Sequence, residues 1–302
     1  MSIASVLWEY LVAPFVDFNF MRRAITGCIA LSLGSSTLGI LLLQRRMSLM
    51  GDAMSHAILP GAAIGYLLFG LSLPAMTIGG IIAGLLVAGL AAIVSRYTEL
   101  KEDASFATFY LISLALGILI ISLRGSTVDL LGVLFGTVLA LDNATLILAA
   151  GIASLSLLLL ALFYRPIVIQ SLDPHFLLPY QGWNIAAYGV FLLLMVLNLV
   201  GGFHTLGTLM AVAFMILPAA SARFWAATLP LQMLFACIFA IICSYIGLLI
   251  SYHYAAAASP AIVLTLGCAY FISLLFGRHN GLLNKHAHVN NAQKLCSDQT
   301  DA

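Results

Sequence analysis

FWAATLPLQMLFACIFAIICSYIGLLISYHYAAAASPAIVLTLGCAYFISLLFG, residues 224–277, runs for 54 residues without an Asp, Glu, Lys or Arg. A membrane-spanning helix needs about 20 apolar residues, whereas a barrel strand needs about 10 that alternate with polar ones. This stretch does not alternate, so it reads as two helices parted at Ala258-Ser259-Pro260. Further uncharged runs cover 24–44, 53–95, 104–123, 143–164 and 174–222. Three of the six runs hold one span each and three hold two. The breaks in the other long runs fall at Leu71-Ser72-Leu73-Pro74 and Gly201-Gly202. Nine candidate spans result, or eight if one is a half-helix. The expected fold is an all-α polytopic membrane bundle. Residues 128–141 are too short to span and are expected to form a re-entrant or interfacial helix.

Composition agrees. Of the 302 residues, 63% are hydrophobic and 8% are charged, against roughly 25% charged in soluble domains. Such a chain cannot cover itself with polar groups in water. A soluble enzyme, a disordered protein and a nucleic-acid binder are excluded. The net charge of +1 gives no attraction for polyanions.

Lys and Arg orient the bundle. With the N-terminus outside and nine spans, Arg45, Arg46, Arg96, Lys101, Arg165, Arg223, Arg278, Lys285 and Lys294 fall inside. Arg22, Arg23 and Arg124 fall outside, so N-out/C-in is expected. Residues 1–22 carry Trp8, Tyr10, Phe15, Phe18 and Phe20 and read as an interfacial segment without a signal-peptide pattern. Residues 23–277 form the transmembrane domain, and 278–302 a flexible polar tail. Cys28, Cys237, Cys243, Cys268 and Cys296 show no paired spacing, and four of them lie in apolar runs as small hydrophobes.

Within this apolar chain, Met50-Gly51-Asp52-Ala53-Met54-Ser55-His56-Ala57-Ile58-Leu59-Pro60-Gly61 stands out. Asp52 and His56 are four residues apart and share a helix face. Ionisable groups in a membrane face a pathway or cavity rather than lipid. A carboxylate and an imidazole make half a ligand set for a divalent transition metal. Pro60 lacks the N–H that would bond the His56 carbonyl, which leaves that oxygen available. The plainer reading makes Asp52 a helix N-cap and His56 a packing residue.

Weaker candidates are His204 at a predicted outer mouth, as a gate ligand or an interfacial histidine, and His286 and His288 in the tail, beside His279 and Cys296. His253 reads as aromatic-belt chemistry and His175 as solvated. Asp129 and Asp142 read as polar ends of the 128–141 segment. Residues 207–223 read as a short apolar helix broken by Pro218 and ending at Arg223. No phosphate-binding Gly-rich loop with its Lys exists, and no catalytic triad or carboxylate pair stands out. The chain does not hydrolyse nucleotide by itself.

RRMSLMGDAMSHAILPGAAIGYLLFG (45–70) resembles the signature of the permease subunits of zinc/manganese/iron ABC importers. TLGTLMAVAFMILPAASARFWA (205–226), LLGVLFG (130–136) and residues 248–277 resemble further blocks of that family. The resemblance implies a homodimeric transport subunit, not an enzyme, in the bacterial cytoplasmic (inner) membrane. It implies a cytoplasmic ATP-binding subunit docked on the inner loop 165–183 and an extracytoplasmic metal-binding protein. The loop carries His175, Phe176, Tyr180 and Trp183 where the family uses small residues. Asp52 and His56 match the family's membrane Asp and His. No cofactor is held permanently, and the metal ion is the substrate. The run 216–223 and the His-bearing tail favour Zn2+, with Mn2+ next. A proton-coupled secondary metal carrier, a metal-chelate permease and a non-transporting membrane scaffold or sensor are the alternatives.

Overall fold

In a computed structural model of the chain, residues 8–70, 72–123, 141–172, 181–279 and 281 are described. They are all-α: no strand occurs among the described residues. After two short helical pieces at Trp8–Val12 and Ala13–Asp17, the helices are α1 (Asn19–Gln44), α2 (Ser48–Ala57), α3 (Leu59–Phe69), α4 (Leu73–Tyr97), α5 (Glu102–Leu123), α6 (Asn143–Leu162), α7 (Tyr164–Leu172), α8 (Gln181–Leu206), α9 (Thr208–Ala222), α10 (Leu229–Tyr254) and α11 (Ala258–Phe276). Seven of them (α1, α4, α5, α6, α8, α10 and α11) are long and apolar enough to cross a membrane. The α2–α3 pair and the 15-residue α9 are the shorter apolar pieces. The expected short segment at 128–141 lies almost wholly outside the described residues.

Prolines sit in the first turns of α3, α4 and α10, where the missing N–H costs nothing. The break at 71–74 falls as expected, between α3 and α4, and the one expected at 258–260 falls just before those residues, at 255–257, with Ala258-Ser259-Pro260 forming the first turn of α11. The break expected at Gly201-Gly202 does not occur. α8 runs through both glycines, which receive Ile152 and Ala211 side chains at close range. The chain turns instead at Gly207, at φ 84°. Pro218 does not break α9 either. A proline there leaves the Phe214 carbonyl without its usual donor, and Ser36 Oγ of α1 donates to that oxygen at 3.2 Å. In lipid, a backbone acceptor must find an internal partner, and a neighbouring hydroxyl supplies it.

The span opened by Ser48 carries a break the sequence reading did not place. α2 stops at Ile58 and α3 restarts one residue later. Ile58 is wedged against Gly80 and Gly84 of α4, and Pro60 faces Gly117 of α5. Gly61 and Gly79 face each other so closely that a Cβ on either would overlap the other's carbonyl oxygen. Small residues of this kind let membrane helices meet backbone to backbone.

α1 and α8 are the most enclosed spans, while α4, α5 and α11 show most of their length to the exterior. One core joins α1, α2 and α8 through Leu41, Met54, Phe191, Met195 and Val200. The other joins α1, α9, α10 and α11 through Cys28, Phe214, Leu248 and Ile262. At one end of the bundle, the α1 C-terminus meets α7, and Leu43 shares a pocket with Arg223, Phe224 and Tyr270. That end carries Arg45, Arg46, Arg96, Lys101, Arg165, Arg223 and Arg278. At the opposite end, Arg22 and Arg23 are the basic residues described. There the segment Trp8–Asp17 packs on α10: Tyr245 donates its hydroxyl to the Leu11 carbonyl at 2.7 Å, and Phe15 stacks on Tyr245.

Candidate metal site

Asp52 and His56 lie on α2, which begins straight after the Arg45-Arg46-Met47 turn at the basic end. Eight residues separate Ser48 from His56, a rise of about 12 Å. His56 stacks on Tyr110, which lies equally far along α5, with ring centroids 6.0 Å apart. The pair therefore sits inside the bundle's apolar length, in the half nearer the basic end.

His56 Nε2 is 3.7 Å from Asp52 Oδ1. That is too long for a hydrogen bond. Two donors each about 2.1 Å from one ion span such a gap at a ligand–metal–ligand angle of about 120°. Asp52 does not cap α2. The helix starts at Ser48, and Asp52 lies in its second turn with 58% of its side chain exposed. His56 is 24% exposed, and its Nδ1 is enclosed with no hydrogen-bond partner. The cap reading of Asp52 is thus not realised, while His56 does pack, on Tyr110.

The opposite face of α2 is methionine-rich: Met50 and Met54 are fully buried there, in a core that also holds Met195 of α8 and Met215 of α9. The consequence expected of Pro60 is partly met. The His56 carbonyl takes the Ile58 N–H at the break, and the next carbonyl, Ala57, accepts from Ser113 Oγ of α5 at 3.1 Å. Neither oxygen is a vacant ligand.

His204 is not part of this site. It stands at the end of α8 opposite the basic end, with Nε2 3.2 Å from Thr77 Oγ1 of α4. The Thr77 hydroxyl already donates to the Leu73 carbonyl at 2.7 Å, so it accepts from His204 Nε2–H. His253 Nε2 lies 3.0 Å from the Tyr10 carbonyl and holds the N-terminal segment down. Asp142 does cap α6, accepting from the Thr145 N–H at 2.9 Å, and the Thr145 hydroxyl, then this N–H, hold its carboxyl below the usual range. The His279 N–H donates to the Phe224 carbonyl. His175, His286, His288, Cys296 and Asp129 lie outside the described residues. Among the described residues, no group of three or more His, Cys, Asp or Glu side chains converges. Asp52 and His56 are a pair of candidate ligands with no third such side chain beside them among the described residues.

Tyr110, which packs on His56, and Arg45, seven residues before Asp52, carry no functional signal in the sequence. Tyr110 is one aromatic in an apolar run. Arg45 reads as a topogenic charge, yet burial pulls its guanidinium down to about 10, a value Tyr188 and Glu102 partly restore. It is fully charged at neutral pH.

Comparison with known proteins follows this geometry. The profile of the ABC 3 transport family matches residues 17–277. The manganese transport system membrane protein MntC of Halalkalibacterium halodurans is 32% identical over 284 residues, covering 93% of this chain and 95% of the relative. The manganese import system permease protein ScaB of Streptococcus parasanguinis is 33% identical, covering 92% and 99%. The solved structure of PsaBC from Streptococcus pneumoniae in complex with Fab has a chain 31% identical to this one, at a TM-score of 0.79, covering 93% and 99%. The chain belongs to the ABC 3 transport family and is a metal ABC permease subunit, a membrane transport component and not an enzyme.

Proposed function

We propose that two copies of this chain form the path of an ATP-driven manganese importer, with Asp52 and His56 of each copy holding the ion in transit. The observation that carries this reading is the exposure of Asp52. A carboxylate at membrane depth costs about 3 kcal/mol or more when it faces lipid, so a face that shows 58% of Asp52 needs water or protein over it. A second copy meeting this face places two Asp52/His56 pairs around one passage. Each pair leaves coordination positions for water or for the other pair. That suits transport, because the site must release what it binds.

The ion is Mn2+ first and Zn2+ second. Carboxylate plus imidazole accepts both. The order expected from the 216–223 run and the tail puts zinc first, whereas the relatives named above are manganese permeases. The basic end faces the cytoplasm by the positive-inside rule, and the bacterial inner membrane fits a permease of this family. The ATP-binding subunit sits there on α7 and the residues that follow it. An extracytoplasmic binding protein delivers the ion at the end bearing His204 and the Trp8–Asp17 segment. A proton-coupled carrier would move metal without nucleotide, so ATP dependence separates the two.

The test is uptake by the permease and its ATP-binding subunit reconstituted in proteoliposomes, with the binding protein supplied on the delivery side. Mn2+ uptake requires ATP, is competed by Zn2+, and is lost in both Asp52→Asn and His56→Gln while the complex still assembles. Undiminished uptake by both variants removes the assigned site, and uptake without ATP removes the importer.

A further inference from the structure

Arg45 is the first residue past α1, and its half-buried side chain lies among α5, α7 and α8. Nε donates to Ser171 Oγ of α7 at 3.0 Å, and Nη2 donates to Gln170 Oε1 of the same helix. The guanidinium lies 4.0 Å from the Phe191 ring centroid and 5.4 Å from that of Tyr188, both on α8. Glu102, the first residue of α5, is within electrostatic reach. Arginine's planar fork suits this double duty of hydrogen bonding at its edge and stacking on its face.

α7 is a nine-residue helix whose buried side chains are Ile167, Gln170 and Ser171. Two of those three are spent on Arg45. The Ser171 hydroxyl donates its own proton to the Ile167 carbonyl at 2.6 Å, so it can only accept from the guanidinium. On the other side of Arg45 the chain has no slack. Arg46 takes a left-handed turn at φ 59°, the Arg46 and Met47 N–H groups bond back to Leu43 and Leu42, and α2 begins at Ser48. Asp52 is seven residues from Arg45.

We infer that Arg45 is the positioning residue that carries displacement of α7 to the α1–α2 turn and so to the Asp52/His56 pair. This rests on the proposed reading of α7 as a seat of the ATP-binding subunit. A rigid shift of α7 either drags the guanidinium, and with it the turn that launches α2, or breaks two partly buried hydrogen bonds and leaves Gln170 Oε1 and the edge of the guanidinium without those partners, which is costly. The Arg45 side chain thus supplies a contiguous path between the two sites.

The experiment measures manganese ions transported per ATP hydrolysed by the reconstituted complex. Arg45→Gln keeps the ATP-binding subunit attached and hydrolysing, and its transport ratio falls at least about tenfold, the range of ordinary coupling energies. Gln170→Ala, which leaves the guanidinium and its aromatic seat in place, lowers the ratio in the same direction. The double variant falls no further than Arg45→Gln. Arg45→Lys lies between, since an ammonium cannot span both partners. Should Arg45→Gln fail to fold, Gln170→Ala alone decides. Wild-type ratios in the variants that assemble overturn the inference, as does loss of the ATP-binding subunit from Gln170→Ala, which would make the contact one of assembly. The underlying reading is tested separately. A photo-crosslinker at the exposed Leu172 captures the ATP-binding subunit, and Asp52→Asn abolishes transport whatever residue 45 is. Failure of either sinks that reading without reference to Arg45.

Discussion

The His56 imidazole turns one nitrogen toward the Asp52 carboxylate, 3.7 Å away, and buries the other without a partner. Nothing but Asp52 addresses the accessible nitrogen among the described residues. The ring is placed by its stack on Tyr110.

That stack predicts a graded effect at Tyr110. Tyr110→Phe keeps the ring and retains metal affinity. Tyr110→Ala lets the imidazole swing and weakens apparent affinity by about tenfold, the scale for residues that orient a ligand. Metal-dependent stimulation of ATP hydrolysis in the complex, titrated with Mn2+, reads the difference.

Ser36 and Pro218 act as a unit through the Phe214 carbonyl. Ser36→Ala leaves that buried oxygen unpaired and destabilises the permease by about 1–3 kcal/mol. With Pro218→Ala in place, residue 218 regains its N–H and Ser36→Ala costs less. Thermal unfolding of the four proteins in detergent forms the cycle, and equal costs on both backgrounds would show that the hydroxyl is not standing in for the missing donor.

The Asp142 cap makes the α6 N-terminus acid-sensitive. Its carboxyl is held down chiefly by the Thr145 bonds, so the folded group titrates below its unfolded value. The cap's contribution is complete above the ordinary carboxylate range and fades as pH falls through the lowered one. Asp142→Ala therefore lowers the unfolding temperature at pH 7 but not once the carboxyl is protonated. Asp142→Asn keeps a cap and flattens the pH dependence. Unfolding temperatures at neutral and acid pH check both variants.

Much of the bundle was legible because charge is scarce: six uncharged runs marked the spans, and Asp52 and His56 stood out within them. What was not legible depended on neighbours. Gly201-Gly202 looked like a breaker because glycine breaks helices in water. In lipid the backbone has no water to turn to, and the two glycines serve close packing instead. Pro218 looked like a break because its replacement donor, Ser36, is far away in sequence. The stop of α2 at Ile58 depends on Gly80, Gly84 and Gly117 of two other helices. Arg45 was counted only as a positive-inside charge, since Gln170, Ser171 and Phe191 come near it only in the fold. Carboxylate-plus-imidazole chemistry does not discriminate manganese from zinc, and the manganese-first order proposed above rests on the relatives.

The most direct measurement is electron spin echo spectroscopy of Mn2+ bound to the purified permease. A manganese ion held by His56 shows nitrogen modulation in the wild-type protein, and His56→Gln removes it while the fold is retained. Modulation that persists in His56→Gln, or none in the wild type with the ion bound, would contradict the assignment of this pair as the ion's ligands.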